Sequence, residues 1–137
     1  MSEKPMKILI LDDEEGILDY MSKILRLKGF DPLAALDADT AVKLFSKHRP
    51  ELCLLDVHLS GSASDGVCVL EEIREIEPGA VCIMITRITD KDKVERAREL
   101  GAARYLLKPI DTQELLDIVR NAAQHLRGNR FGQAFTE

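Results

Sequence analysis

Short, nearly continuous aliphatic runs alternate along this chain with longer stretches in which apolar positions recur every three or four residues. The aliphatic runs are Lys7 to Leu11, Pro32 to Leu36, Leu52 to Leu55, Val81 to Ile85 and Arg104 to Leu107. Four of them are filled with apolar residues rather than alternating with polar ones, the pattern of a strand covered on both faces. Pro32, which has no amide donor, and the small Ala34 and Ala35 suit an edge strand.

Five amphipathic segments follow the runs in turn. Ile17, Met21, Ile24, Leu25 and Lys28 predict one face of a first helix closed by Gly29. A second starts at Asp37 or Asp39, carries Ala41, Leu44, Phe45 and His48, and ends before Pro50. The third runs from Val67 through Leu70, Ile73 and Ile76 to Pro78-Gly79. The fourth opens at Thr89 or Asp90 and has only Val94, Ala97 and Leu100 to bury before Gly101. The fifth opens at Asp111, with Glu114 three residues on, and offers Leu115, Leu116, Val119, Ala122, Ala123 and Leu126. A β-α order repeated five times, with short connections and right-handed crossovers, predicts an α/β domain with a parallel sheet between two helical layers.

The 137 residues suit one domain, and a hydrophobic fraction of 45% supports a real core. We expect residues 1–5 to be an N-terminal extension, 6–126 the folded domain and 127–137 a tail in which Phe131 and Phe135 have no assigned packing. Nineteen Lys and Arg against 24 Asp and Glu give a net charge of −5 without a basic stripe, which argues against direct nucleic-acid binding. No apolar run approaches the ~20 residues of a membrane span. The polar N-terminus lacks the apolar stretch of a secretory signal, so a cytoplasmic location is expected. Cys53, Cys68 and Cys82 form no Cys-x-x-Cys pair and read as small core residues.

In an open α/β sheet, ligands bind beyond the carboxyl ends of the strands. The residues at those ends here are Asp12 and Asp13, followed by Glu14 and Glu15; Asp56; Thr86 and Arg87; and Lys108-Pro109. Taken singly, each has an ordinary explanation. Asp12, Asp13 and Glu14 could cap the first helix, Asp56 could organise a turn, Thr86 could be a β-branched strand residue and Lys108 a solvated charge. Those explanations leave their co-location on one rim unaccounted for. Two unit charges ~4 Å apart repel by about 4 kcal/mol at an effective dielectric of 20, so clustered carboxylates point to a hard cation. An all-oxygen set without His or Cys suits Mg²⁺ rather than zinc. A cation, a lysine and a hydroxyl around one carboxylate are also the parts that let it accept a phosphoryl group.

This ordered set resembles the receiver domain of bacterial two-component response regulators, the CheY-like family. Its members are Asp12-Asp13 after Lys7-Ile8-Leu9-Ile10-Leu11, Asp56 after Leu52-Cys53-Leu54-Leu55, Thr86 after Val81-Cys82-Ile83-Met84-Ile85, Tyr105, and Lys108-Pro109. The resemblance covers about residues 6 to 126. It implies a flavodoxin-like (βα)5 doubly wound sheet of strand order 2-1-3-4-5 in a single domain. It implies that Asp56 takes a phosphoryl group from a phosphohistidine on a sensor histidine kinase or phosphotransfer protein. Mg²⁺, for which Mn²⁺ could substitute, would be held by Asp13, Asp56 and the backbone carbonyl of His58, with Asp12 acting through water. Thr86 and Lys108 would bind phosphoryl oxygens. Tyr105 would couple them to the surface of the fourth helix, fifth strand and fifth helix, which acts on a downstream protein. The protein would be a signalling switch rather than an enzyme, and a monomer, with dimerisation on phosphorylation left open.

Two departures from the family pattern stand out. Position 60 is Ser where a Pro is usual, and Asp65-Gly66 follows Gly61-Ser62-Ala63-Ser64, so the loop is about two residues longer and reads as a flexible insertion. Arg87 stands where the family prefers a small residue. It either folds over the rim to pair with acids or the phosphoryl group, or points into solvent. His58 occupies a position at which family members tune dephosphorylation. About ten residues follow the fifth helix, which sets the expectation of a stand-alone receiver unless the chain is part of a longer one. A phosphorylation-independent adaptor is the alternative. An aspartyl-phosphate phosphatase of the haloacid dehalogenase type would carry a second acid two residues after the nucleophile, where this chain has His58.

Overall fold

Strands that are apolar on both faces can be buried only between two layers of helix, and that is the arrangement found. The computed structural model describes residues 4–60 and 64–128. Its elements are β1 (Lys7–Leu11), α1 (Glu15–Leu27), β2 (Asp31–Ala35), α2 (Ala38–His48), β3 (Leu52–Asp56), α3 (Gly66–Ile76), β4 (Val81–Thr86), α4 (Lys91–Glu99), β5 (Arg104–Leu107) and α5 (Thr112–Gly128). The sheet is parallel throughout, in the order β2-β1-β3-β4-β5. This is the flavodoxin-like doubly wound fold.

Alternation along each strand sorts the core into two halves. Ile8, Ile10, Leu52, Leu54, Ile83, Ile85 and Leu106 face α1 and α5. Leu9, Leu11, Cys53, Leu55, Cys82 and Met84 face α2, α3 and α4. The three central strands therefore sit in register with both faces covered, and their carboxyl ends finish at one rim: Leu11 opposite Leu55, and Asp56 opposite Ile85.

Packing shifts some details of the periodicity. In α1 the buried stripe is Leu18, Met21, Ser22 and Leu25, while Ile17 and Ile24 are half-buried and Lys28 is exposed. The apolar residues of α1 fit two neighbouring stripes, and contact with β1 and β2 selects between them. Strand β2 begins one residue earlier than its apolar run, with Asp31 pairing Lys7, and Leu36 falls outside it, 44% exposed. In α5 the buried residues include Ile118, and Glu114 donates its amide to Asp111 Oδ2 at 2.9 Å, the cap read from the Asp111–Glu114 spacing. The helix continues to Gly128, past the expected boundary at residue 126. Phe131 and Phe135, and the Gly61-Ser62-Ala63 part of the expected flexible insertion, lie outside the described residues. Among the described residues, no helix is long and apolar enough to cross a membrane.

Candidate functional site

The turn after β1 places the first group of acids. The amide of Asp12 donates to Ala35 O at 3.1 Å, which ties the strand end to β2, and Asp12 Oδ1 accepts the amide of Glu14 at 2.8 Å. Glu14 is the residue before α1, yet its carboxylate makes no cap hydrogen bond to the helix. Asp13 leans the other way, its Oδ2 accepting the amide of Ser60 at 2.6 Å. Helix capping thus fails to account for this acidic run.

From β3, Asp56 projects into the same space. Its Oδ1 accepts the amide of His58 at 3.0 Å, and the amide of Val57 donates to Ile85 O at 2.9 Å, which fixes the strand end laterally. The start of α3 fixes it from behind, because the Gly66 amide donates to Val57 O at 3.2 Å. Asp65 caps α3 by accepting the amides of Val67 and Cys68, and pairs with Lys93 of α4 at 3.0 Å.

Lys108 enters from the end of β5, its amide donating to Thr86 O at 2.8 Å. Its ammonium lies 2.7 Å from Asp56 Oδ2 and 3.2 Å from both Asp12 Oδ2 and Glu14 Oε2. Only 9% of the Lys108 side chain is exposed, and Asp12 and Asp56 are buried almost completely. Burial pushes the Asp56 carboxyl up to about 6 and the repulsion of Asp12 adds to this, against the hydrogen bond from Lys108, which pulls the other way. Lys108 is pushed up to about 12: its own desolvation works against this, but Asp56, Asp12 and Glu14 together outweigh it. The two partners move in the same numerical direction for opposite reasons. One ammonium is shared by three carboxylates, so the lysine gains from all of them while Asp56 receives a share.

The donor set fits a hard cation. Carboxylate oxygens of Asp12, Asp13 and Asp56 lie within 4.8 Å of one another. Asp12 Oδ2 is buried and has no hydrogen bond; the nearby Lys108 ammonium balances its charge but is not aligned to donate to it. A buried carboxylate oxygen left in that condition is costly unless a further positive group satisfies it, and oxygen ligands without nitrogen or sulfur are what Mg²⁺ takes.

Thr86 ends β4 on the same rim and is 5% exposed. The structure therefore brings Asp12, Asp13, Asp56 and Lys108 together, with Thr86 on the neighbouring strand end. Tyr105 stands apart on the opposite face of β5, packed half-buried against the α2–α4 side of the core, its hydroxyl donating to Val94 O of α4 at 3.5 Å. Arg87 is exposed and inclines toward the rim, Nη2 lying 3.9 Å from Glu14 Oε2. The observed contact of His58 with the cluster is through its amide. Three contributors were not singled out from sequence. Glu14 is indistinguishable there from the acids around it, Ser60 acts through its backbone, and Gly66 had been noted only as part of a displaced Asp-Gly pair.

Comparison with known proteins bears on the whole arrangement. Residues 8–120 match the family model described as the response regulator receiver domain. The chain is 32% identical over 114 residues to Sporulation initiation phosphotransferase F of Bacillus subtilis (strain 168), covering 83% of this chain and 90% of that protein. It is 33% identical over 118 residues to Regulatory protein AtoC of Escherichia coli (strain K12), covering 86% of this chain and 25% of the longer relative. Among solved structures, a response regulator receiver domain protein (CheY-like) from Methanospirillum hungatei JF-1 superposes with a TM-score of 0.85 at 26% identity, over 91% of this chain and 98% of that one.

Proposed function

Because the chain belongs to the response regulator receiver domain family, we propose that it works as a phosphorylation switch whose acceptor is Asp56. Receiver domains accept phosphoryl groups from histidine kinases or phosphotransfer proteins, act on downstream effectors and bind Mg²⁺ in an acidic pocket. The observation that carries the assignment to these residues is the position of Lys108 Nζ, 2.7 Å from Asp56 and 3.2 Å from Asp12, acids contributed by two other strands.

The residues divide the work as follows. Asp56 is ionised above about pH 6 and is the nucleophile. Its carboxylate oxygen bonds to phosphorus as the phosphorus–nitrogen bond of the donor phosphohistidine breaks; the electron pair leaves on the imidazole, and an aspartyl phosphate remains. Lys108 already touches the attacking carboxylate and is placed to pair with a phosphoryl oxygen as negative charge moves outward. The Thr86 hydroxyl supplies a hydrogen-bond donor from the adjacent strand. Asp12, Asp13 and Asp56 are the side chains that would hold Mg²⁺. Bound there, the ion offsets the charge of the carboxylates and of the phosphoryl oxygens.

The output is read as a change of the α4-β5-α5 surface. Helix α4 buries only Ala97 fully, and elements with few buried contacts open or shift at low cost. The Tyr105 hydroxyl on the Val94 carbonyl links β5 to that helix. We assign the downstream recipient to a protein rather than nucleic acid, in keeping with the net charge of −5, and the setting to the cytoplasm.

Incubation with Mg²⁺ and either acetyl phosphate or phosphoramidate, followed by intact-mass measurement, tests the proposal. The expected result is a gain of one phosphoryl group in the native protein and none in Asp56→Asn. No gain from either donor or from a phosphorylated histidine kinase would overturn it.

A further inference from the structure

We propose that Glu14 is a positioning residue of the acceptor pocket: its carboxylate bridges Lys108 and Arg87 across the mouth and competes with an incoming phosphoryl group for both cations. The inference rests on the phosphoacceptor reading and concerns how that same site admits small anionic donors.

An ammonium has three N–H donors. Lys108 Nζ donates to Asp56 Oδ2 at 2.7 Å and to Glu14 Oε2 at 3.2 Å, while Asp12 Oδ2 lies 3.2 Å away without accepting a hydrogen bond, so Glu14 is the exposed group that engages this ammonium. Asp12 and Asp56 are buried and cannot leave. Glu14 can, since its side chain is 52% exposed and water would solvate it on release. Its backbone, in contrast, is held by the hydrogen bond from its amide to Asp12 Oδ1, so the carboxylate swings from a fixed point beside the pocket.

The same Glu14 oxygen is 3.9 Å from Arg87 Nη2. Arg87 follows Thr86 directly, and its amide is fixed by Asp90 Oδ2 at 2.8 Å, so its guanidinium also reaches over the rim from an anchored backbone. One carboxylate thus occupies two cations that would otherwise face an approaching dianion, and it adds a negative charge at the entrance. A donor that brings its own binding surface has further contacts with which to displace Glu14. A small donor has only its phosphoryl charge. Glu14 therefore biases the pocket against small phosphodonors.

The test is the rate of phosphorylation by acetyl phosphate at saturating Mg²⁺, measured against donor concentration for native protein, Glu14→Gln, Arg87→Ala and the double variant, with thermal unfolding as a folding control. Glu14→Gln should lower the half-saturating donor concentration by roughly threefold or more, in keeping with removal of one charge from a focused entrance, and leave the maximal rate nearly unchanged. Arg87→Ala alone should shift half-saturation less than twofold, because Glu14 already occupies the arginine, but should remove most of the gain when combined with Glu14→Gln. Half-saturation unchanged or raised in Glu14→Gln, or a gain that persists in full in the double variant, overturns the inference while the acceptor role of Asp56 stands. Native protein left unmodified by acetyl phosphate while Glu14→Gln is phosphorylated supports the inference; absence of phosphorylation in both, by acetyl phosphate, phosphoramidate and a phosphorylated histidine kinase alike, overturns that role and this inference with it.

Discussion

Gly66 packs against the peptide carbonyl of Asp56 so closely that a β-carbon at position 66 would lie 2.0 Å from Asp56 O and 2.7 Å from its carbonyl carbon. The contact is with backbone, which cannot rotate away as a side chain can. Gly66→Ala should therefore push α3 away from β3 and tilt the acceptor, at a cost of ~1–3 kcal/mol in urea unfolding, and slow phosphorylation of Asp56. Gly16→Ala, on an exposed turn of α1 with open space around it, is the control and should be neutral or slightly stabilising.

Stability should carry the electrostatic mark of Asp56. Its folded-state value of about 6 lies above the ordinary 3.8, so the folded protein holds this proton more tightly than the unfolded chain. That contribution is fully present below about pH 3.8 and is lost as pH rises through 6. In the metal-free protein at pH 7, Asp56→Asn removes the cost of keeping the carboxylate charged and should stabilise by ~1–2 kcal/mol. Urea unfolding of both proteins at pH 7 and pH 4 checks the sign: the gap should narrow at the lower pH.

A divalent cation should act in the opposite sense to that cost. Added Mg²⁺ binds the folded state alone, so it should raise the unfolding temperature of the native protein, with a stabilisation of about 2.7 kcal/mol at a hundredfold excess over the dissociation constant. Chelation should reverse the shift, and Asp13→Asn should blunt it. A shift of equal size in Asp13→Asn would remove this residue from the cation site.

Arg74 joins α3 to both ends of its neighbourhood. Its guanidinium donates to Leu100 O and Ala80 O at 2.9 Å each, and also to Pro78 O and Gly101 O. Gly101 has φ +88, and a β-carbon there would meet Arg74 Nη2 at 2.6 Å, so the turn after α4 is shaped around this side chain. Arg74→Ala should cost ~1–3 kcal/mol through carbonyls left without partners. Amide exchange should rise in α4 and β5 while α1 keeps its protection.

The sequence carried the architecture because its strands are apolar on both faces and its helices are capped or stopped by residues with clear signals. Asp37, for instance, accepts the amide of Thr40 at 2.7 Å, as an Asp before a helix should. The placement of Asp12, Asp56 and Lys108 followed from the rule that loops at the carboxyl ends of parallel strands meet. What stayed hidden depends on tertiary approach. Ile17 and Leu18 both fit an apolar stripe of α1, and only the sheet decides that Leu18 is the one buried. Glu14 sits in a run of four acids, and nothing in the run says that its carboxylate turns to Lys108 instead of capping the helix. The backbone contact beneath Asp56 leaves no trace in sequence beyond a glycine at the start of α3.

The most direct test of the central claim is chemical localisation of the phosphoryl group. An aspartyl phosphate is an acyl phosphate, which borohydride reduces to the alcohol, converting the residue to homoserine. After reaction with a phosphodonor and Mg²⁺, reduction and peptide mass analysis should find homoserine at position 56, with the yield lost in Lys108→Ala. An unmodified Asp56, or conversion at Asp12 or Asp13 in its place, would contradict the account.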